Sequence, residues 1–214
     1  MKNCLLTLLT AVLFLGSAAA QKAVSGVFLY KASISDSVSV LKEWNVRLYT
    51  NDTIVRVETQ TDQVGQQVYI RHMDLRKAYL LLAYNGKKFA IQTDLAENTV
   101  KDTVGKQYTV KKKFGSKKVA GYKCKKYYVT DKGQPEGYYC WFAKKFDNKY
   151  LEVYPEVPYL AADYFLPSQE GLIHYELVSF TPETLNRDMF GIPSDYRRVT
   201  FEEFVGQFSD GKQE

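Results

Sequence analysis

The residues that could build a reactive site in this 214-residue chain are three cysteines, two histidines and scattered carboxylates. The histidines, His72 and His174, fall in separate segments, each with no cysteine or second histidine close by. Metal sites draw on clustered His, Cys and carboxylate ligands, so a packed or surface histidine accounts better for both. There is no Gly-x-Ser-x-Gly elbow and no glycine-rich phosphate loop. Among the acids between Glu152 and Glu176, Asp163 sits beside Tyr159, Tyr164 and Phe165. Aromatics next to a carboxylate can bind sugars. They can equally be a loop packing on a sheet, and that reading is favoured. A carboxylate pair for glycoside hydrolysis needs a separation in space that a sequence does not show. The sequence therefore assigns no catalytic residue, no metal ligand and no cofactor, and the chain reads as non-enzymatic.

The three cysteines divide by position. Cys4 lies in a segment built like an export signal. Lys2 supplies the positive start, an apolar run extends from Leu5 to Leu15, and Ala18 and Ala20 satisfy the small-x-small rule. This predicts cleavage between Ala20 and Gln21. The run falls short of the ~20 residues a membrane span requires. Cys4 precedes the run, whereas a lipid-modified cysteine would follow it. The expected organisation is a signal peptide over 1–20 and one β domain over 21–214.

Cys124 and Cys140 then remain, an even count in an exported chain, which reads as a disulfide. Strands are expected from Tyr122 to Thr130 and from Gln134 to Phe142, joined by Asp131-Lys132-Gly133. A three-residue hairpin loop places glycine last. That register sets Cys124 opposite Cys140. Opposed Cα atoms stand roughly 4.5–5.5 Å apart, inside the roughly 4.4–6.8 Å that a disulfide accepts.

The elements that must carry these residues are mostly strands. Seventeen Tyr and twelve Phe favour sheet. Val24, Gly26, Phe28, Tyr30, Ala32 and Ile34 alternate onto one face. Trp44–Thr50 and Thr53–Thr59 form a hairpin around Asn51-Asp52, with Leu48 facing Val55. Asn51-Asp52-Thr53 also has the form of a glycosylation sequon, but it reads as the turn. Gly65 to Met73 is a further strand. Asn85-Gly86 is a strong hairpin signal that sets Leu82 opposite Phe89 and Leu80 opposite Ile91. Gln107 to Phe114 reads as a lysine-rich edge strand. Leu151 to Pro167, with three prolines, reads as a long, partly packed loop with short extended pieces. Gly171 to Thr181 is again a strand. Thr200 and Glu203 form a capping box, opening a short helix whose apolar face is Phe201, Phe204, Val205 and Phe208.

Charge is unevenly distributed. From Lys101 to Lys126 there are ten lysines and one acid, Asp102. Such a stripe can meet an anionic surface, or it can keep exposed strand edges from aggregating. The second use is favoured, because no arginine sits in the stripe to grip phosphate.

Three stretches carry a family resemblance: Gly121-Tyr122-Lys123-Cys124-Lys125-Lys126-Tyr127, the segment from Arg71 to Leu80, and Phe190-Gly191-Ile192-Pro193-Ser194-Asp195-Tyr196. Their order resembles an uncharacterised, domain-of-unknown-function family of exported Gram-negative bacterial proteins, similar in fold to the periplasmic lipoprotein carriers. The resemblance implies a mainly β (α+β) fold. Its core is a single strongly curved antiparallel sheet, an unclosed barrel, with helix or loop across the concave side. In the carriers that concavity is apolar and holds acyl chains.

The resulting expectation is an exported protein of the periplasm or cell envelope, or a secreted one. It binds an apolar or amphipathic ligand, a lipid or lipoprotein, in the concavity. The alternative is an envelope interaction module that docks on a protein or an anionic surface through a sheet edge or the lysine stripe. No nucleic-acid partner and no membrane span after cleavage are expected.

Overall fold

The computed structural model describes residues 23–35, 39–61, 65–84, 86–94, 108–132 and 136–209. The expected signal peptide over 1–20, with Cys4, and the Ala20–Gln21 junction lie outside them. The first six strands are β1 (Ser25–Ser35), β2 (Val40–Asn51), β3 (Ile54–Thr61), β4 (Gly65–His72), β5 (Lys77–Tyr84) and β6 (Lys87–Asp94). The second six are β7 (Tyr108–Val119), β8 (Tyr122–Asp131), β9 (Gly137–Asp147), β10 (Tyr159–Ser168), β11 (Gly171–Pro182) and β12 (Arg197–Thr200), followed by helix α1 (Phe201–Ser209). All twelve strands join one sheet in the order β12-β6-β5-β4-β3-β2-β1-β11-β10-β9-β8-β7. Its two ends, β12 and β7, do not pair with each other, so the sheet is unclosed. Every neighbouring pair is antiparallel except β12 on β6.

Alternation explains β1: Phe28, Tyr30, Ala32 and Ile34 are all buried, as their spacing predicts. Asn85-Gly86 also sets the expected register, with Leu82 opposite Phe89 and Leu80 opposite Ile91. The other two hairpins differ. In β2–β3, Leu48 faces Val57, not Val55. Asn51 Oδ1 accepts hydrogen bonds from the Thr53 and Ile54 amides, at 3.3 and 3.0 Å, and this side-chain turn lengthens the connection. The shift is two residues, so the same side chains stay on the same face.

The β8–β9 register is offset by three residues. Cys124 pairs with Ala143, and Tyr127 with Cys140. β9 starts at Gly137. A Cβ at Gly137 would lie 2.3 Å from the Val129 carbonyl oxygen. Only glycine allows this approach, and it fixes the register. An odd offset puts the two cysteines on opposite faces of the hairpin. The expected Cys124–Cys140 disulfide is therefore corrected: both thiols are free and buried.

The segment from Leu151 to Pro167 is not one loop. Its second half is β10, paired on both sides by β9 and β11. Strands covered on both faces lose polar alternation, and Leu160, Ala161, Ala162 and Tyr164 are all buried. The first part of the segment covers the sheet. Tyr150, Tyr154 and Val157 are no more than 2% exposed. They pack with Phe28, Tyr30, Phe142 and Phe146 in one core. Arg71, itself buried, ties this cover to β4 by donating to Glu152 and to the Lys149 carbonyl. Tyr150 donates to Asp52 at 2.5 Å.

Helix α1 is capped as expected: Glu203 accepts from the Thr200 amide at 2.8 Å and Thr200 from the Glu203 amide at 3.1 Å. Its Phe204 ring meets Phe89 on β6 at 5.3 Å. The helix thus sits at the β6 end, and Phe201 and Val205 remain exposed. Among the described residues no helix is long and apolar enough to cross a membrane.

Candidate functional site

Asp163 is the one buried carboxylate among the described residues. Its Oδ1 meets His174 Nε2 at 2.9 Å, and its Oδ2 accepts from Lys117 Nζ at 2.5 Å. His174 stacks on Phe165 at 4.5 Å, and the Lys117 ammonium stands 5.0 Å from the Trp141 ring centre. β8 and β9 lie between β7 and β10 in the sheet order. In a flat sheet that separation is roughly 14 Å, too far for one lysine. The contact therefore requires this end of the sheet to curl strongly.

Burial pushes the Asp163 carboxyl up, but hydrogen bonds from His174 and Lys117 outweigh it and hold the group below its ordinary value. Glu176 is its ladder partner on β11, so two carboxylates do share a face. A glycosidase pair needs one acid raised to stay protonated, and Asp163, held below its ordinary value, does not fill that role. Among the described residues no hydroxyl or thiol hydrogen-bonds to His174. The chemistry of the arrangement is that of a clamp across the curl. His72 lies apart on β4, against Tyr79. Among the described residues no group of three or more His, Cys, Asp or Glu side chains converges as a metal site.

The cysteines offer no nucleophile either. Burial pushes the Cys124 thiol up to about 11 and the Cys140 thiol up to about 12. Thiolate is the reactive form, so both are inert when folded. Iodoacetamide is expected to leave the mature chain unmodified under native conditions and to alkylate both thiols in unreduced, denatured protein. A denatured, unreduced chain with no reactive thiol would restore the disulfide.

A large open volume lies where two ladders part. β1 and β2 stay paired out to Ser35 and Val40, whereas β2 and β3 stop at Val46 and Thr59. A cavity of about 870 Å³ occupies this fork. Ile34, Leu41, Trp44 and Ile173 give it apolar surface. Lys42 and Arg47 bring positive charge, Glu43 and Glu170 negative charge, and Gln60 and Gln67 hydrogen-bonding amides. Lys42 bonds Glu170 at 2.7 Å across the opening. The sequence places Trp44 in a hairpin but does not show a groove. The fork depends on where β2–β3 pairing ends, and the turn chemistry at Asn51 was misjudged by two residues.

Residues 36–150 match the family model described as Domain of unknown function (DUF4412). The chain belongs to this family. The DUF4412 region runs from the end of β1 through β9 and includes most of the fork, with Ile34, Glu170 and Ile173 among the residues contributed from outside it. No curated protein matches the chain. Among solved structures, it is similar to the crystal structure of the Mycobacterium tuberculosis lipoprotein LppX, at 10% identity and a TM-score of 0.38, over 76% of this chain and 87% of that one.

Proposed function

We propose that the protein is an exported, non-enzymatic binding protein of the cell envelope that takes one small amphipathic ligand in the fork between β2 and β3. The observation that carries this reading is the fork itself. Its size falls within the roughly 300–1,000 Å³ usual for ligand pockets, and its apolar patch adjoins two cationic side chains. An apolar segment would lie on Trp44, Leu41 and Ile173, with an anionic or zwitterionic head toward Lys42 and Arg47. The aromatic core beneath 148–157 supports this placement over a deep acyl-chain cavity, because Phe28, Tyr30, Phe142, Phe146 and Tyr154 fill it with no more than 1% exposure each. Export rests on Lys2, the Leu5–Leu15 run and the Ala18/Ala20 pair.

The test uses W141F, which leaves Trp44 as the sole tryptophan reporter. Titration with a lysophosphatidylglycerol below its micellar concentration should shift Trp44 emission to the blue and saturate at one ligand per chain. Adding I173E should weaken that binding by about tenfold or more. An unchanged spectrum in W141F, with the fold intact by circular dichroism, would overturn the proposal.

A further inference from the structure

At the far end of the sheet, β7 carries a feature that the groove does not use. The ladder to β8 is regular up to Lys112, which faces Tyr127, and resumes at Ser116, which faces Lys125. Four residues along β7 thus span two along β8, a bulge that interrupts the alternation and re-aims side chains. Gly115 completes it with a φ of 124°, a conformation suited to glycine. The result is Phe114 at 103% exposure, standing clear of the fold.

Its surroundings are cationic. A groove of about 650 Å³ runs beside Phe114, and among the described residues its lining includes Lys112, Lys113, Lys123, Lys125 and Lys144 and no carboxylate. Lys111 continues the run and is exposed. β7 is the last strand of the sheet, so this crest is approachable from outside.

We infer that the β7 bulge docks the protein on an anionic lipid bilayer, with Phe114 entering the headgroup–acyl boundary and the lysines meeting the headgroups. Three observations select a bilayer as the occupant. The positive groove complements negative headgroups, each nearby lysine adding to the attraction. One isolated aromatic needs no shaped pocket in a bilayer. A protein interface instead calls for a broader apolar centre from which lysine is depleted, and this crest has the reverse composition. The surface is separate from the β2–β3 fork, so each proposal stands or fails by itself.

The experiment is co-sedimentation of the full mature chain with vesicles of phosphatidylcholine alone or with 30% phosphatidylglycerol, at about 0.15 M salt. Binding is expected only to the anionic vesicles and should weaken as salt rises. F114A should lower it on the order of tenfold, and K111Q/K112Q/K113Q by roughly a hundredfold. I173E should leave it unchanged. F114W, in the W141F background, should gain emission that brominated lipid quenches. Because Phe114 packs on nothing, F114A should melt with wild type, so a loss of binding would not reflect misfolding. Equal binding to both vesicle types would overturn the inference. So would anionic binding unaffected by F114A, or binding to a soluble polyanion such as heparin with no binding to vesicles.

Discussion

Tyr154→Ala is expected to destabilise the protein by about 3–5 kcal/mol, the usual range for removing a large buried aromatic. Tyr154 is 1% exposed. Its ring stands 5.2 Å from Tyr108, 5.9 Å from Phe142 and 6.5 Å from Tyr164. Its hydroxyl donates to the Phe165 carbonyl. One side chain therefore joins the cover at 148–157 to β7, β9 and β10. Truncation leaves a cavity among rings that are themselves anchored, so little collapse can offset the loss. Tyr154→Phe keeps the ring and gives up one hydrogen bond, for a smaller cost of about 1 kcal/mol. Urea unfolding measures both, and a shift in midpoint without a change of slope identifies a stability effect. A Tyr154→Ala midpoint equal to that of Tyr154→Phe would mean that the cover does not pack as described.

Gly26→Val should be comparably damaging, for a backbone reason. Gly26 has a φ of 150°. A Cβ there would sit 2.3 Å from the Thr181 carbonyl oxygen and 2.9 Å from the Phe180 ring. Neither can move freely, because Phe180 packs on Phe28 at 4.4 Å and Gly26 is laddered to Pro182. Strained backbone and overpacking together give a cost of roughly 2–5 kcal/mol. Gly206→Ala is the control. It lies in α1 with nothing near its Cβ position, and it should stabilise by about 0.5–1 kcal/mol. Thermal or urea melts that rank Gly26→Val at or above wild type would contradict the β1–β11 packing.

The strands with one face on the core were legible in the sequence. Phe28 to Ile34 alternates because one side of β1 is covered and the other is not. Asn85-Gly86 gave its hairpin register because the turn chemistry is local. The failures share a cause. β10 shows in the sequence only as a short extended piece within a loop, because a strand buried on both faces has no alternation to see. The prolines around it mark its ends: Pro158 precedes β10 and Pro167 is its penultimate residue. The Cys124–Cys140 pairing is not legible because the expected register rests on Gly133 as the turn glycine, whereas the close approach at Gly137 to the Val129 carbonyl oxygen sets it. The candidate site was the least legible part. The fork is made by ladders that stop at different points, and the Asp163 clamp by a curl that brings β7 to β10. Both are properties of the whole sheet. The exposed Phe114 could not be told from a packed one until the bulge around it was seen.

A native mass spectrum tests the central claim most directly. The mature chain would be purified without detergent from a cell that exports it. The fork between β2 and β3 predicts a population carrying a single adduct in the mass range of a small amphiphile, removed by organic extraction and absent from the Ile173→Glu variant. A folded wild-type chain that flies bare, and stays bare after incubation with lysophosphatidylglycerol, would contradict it.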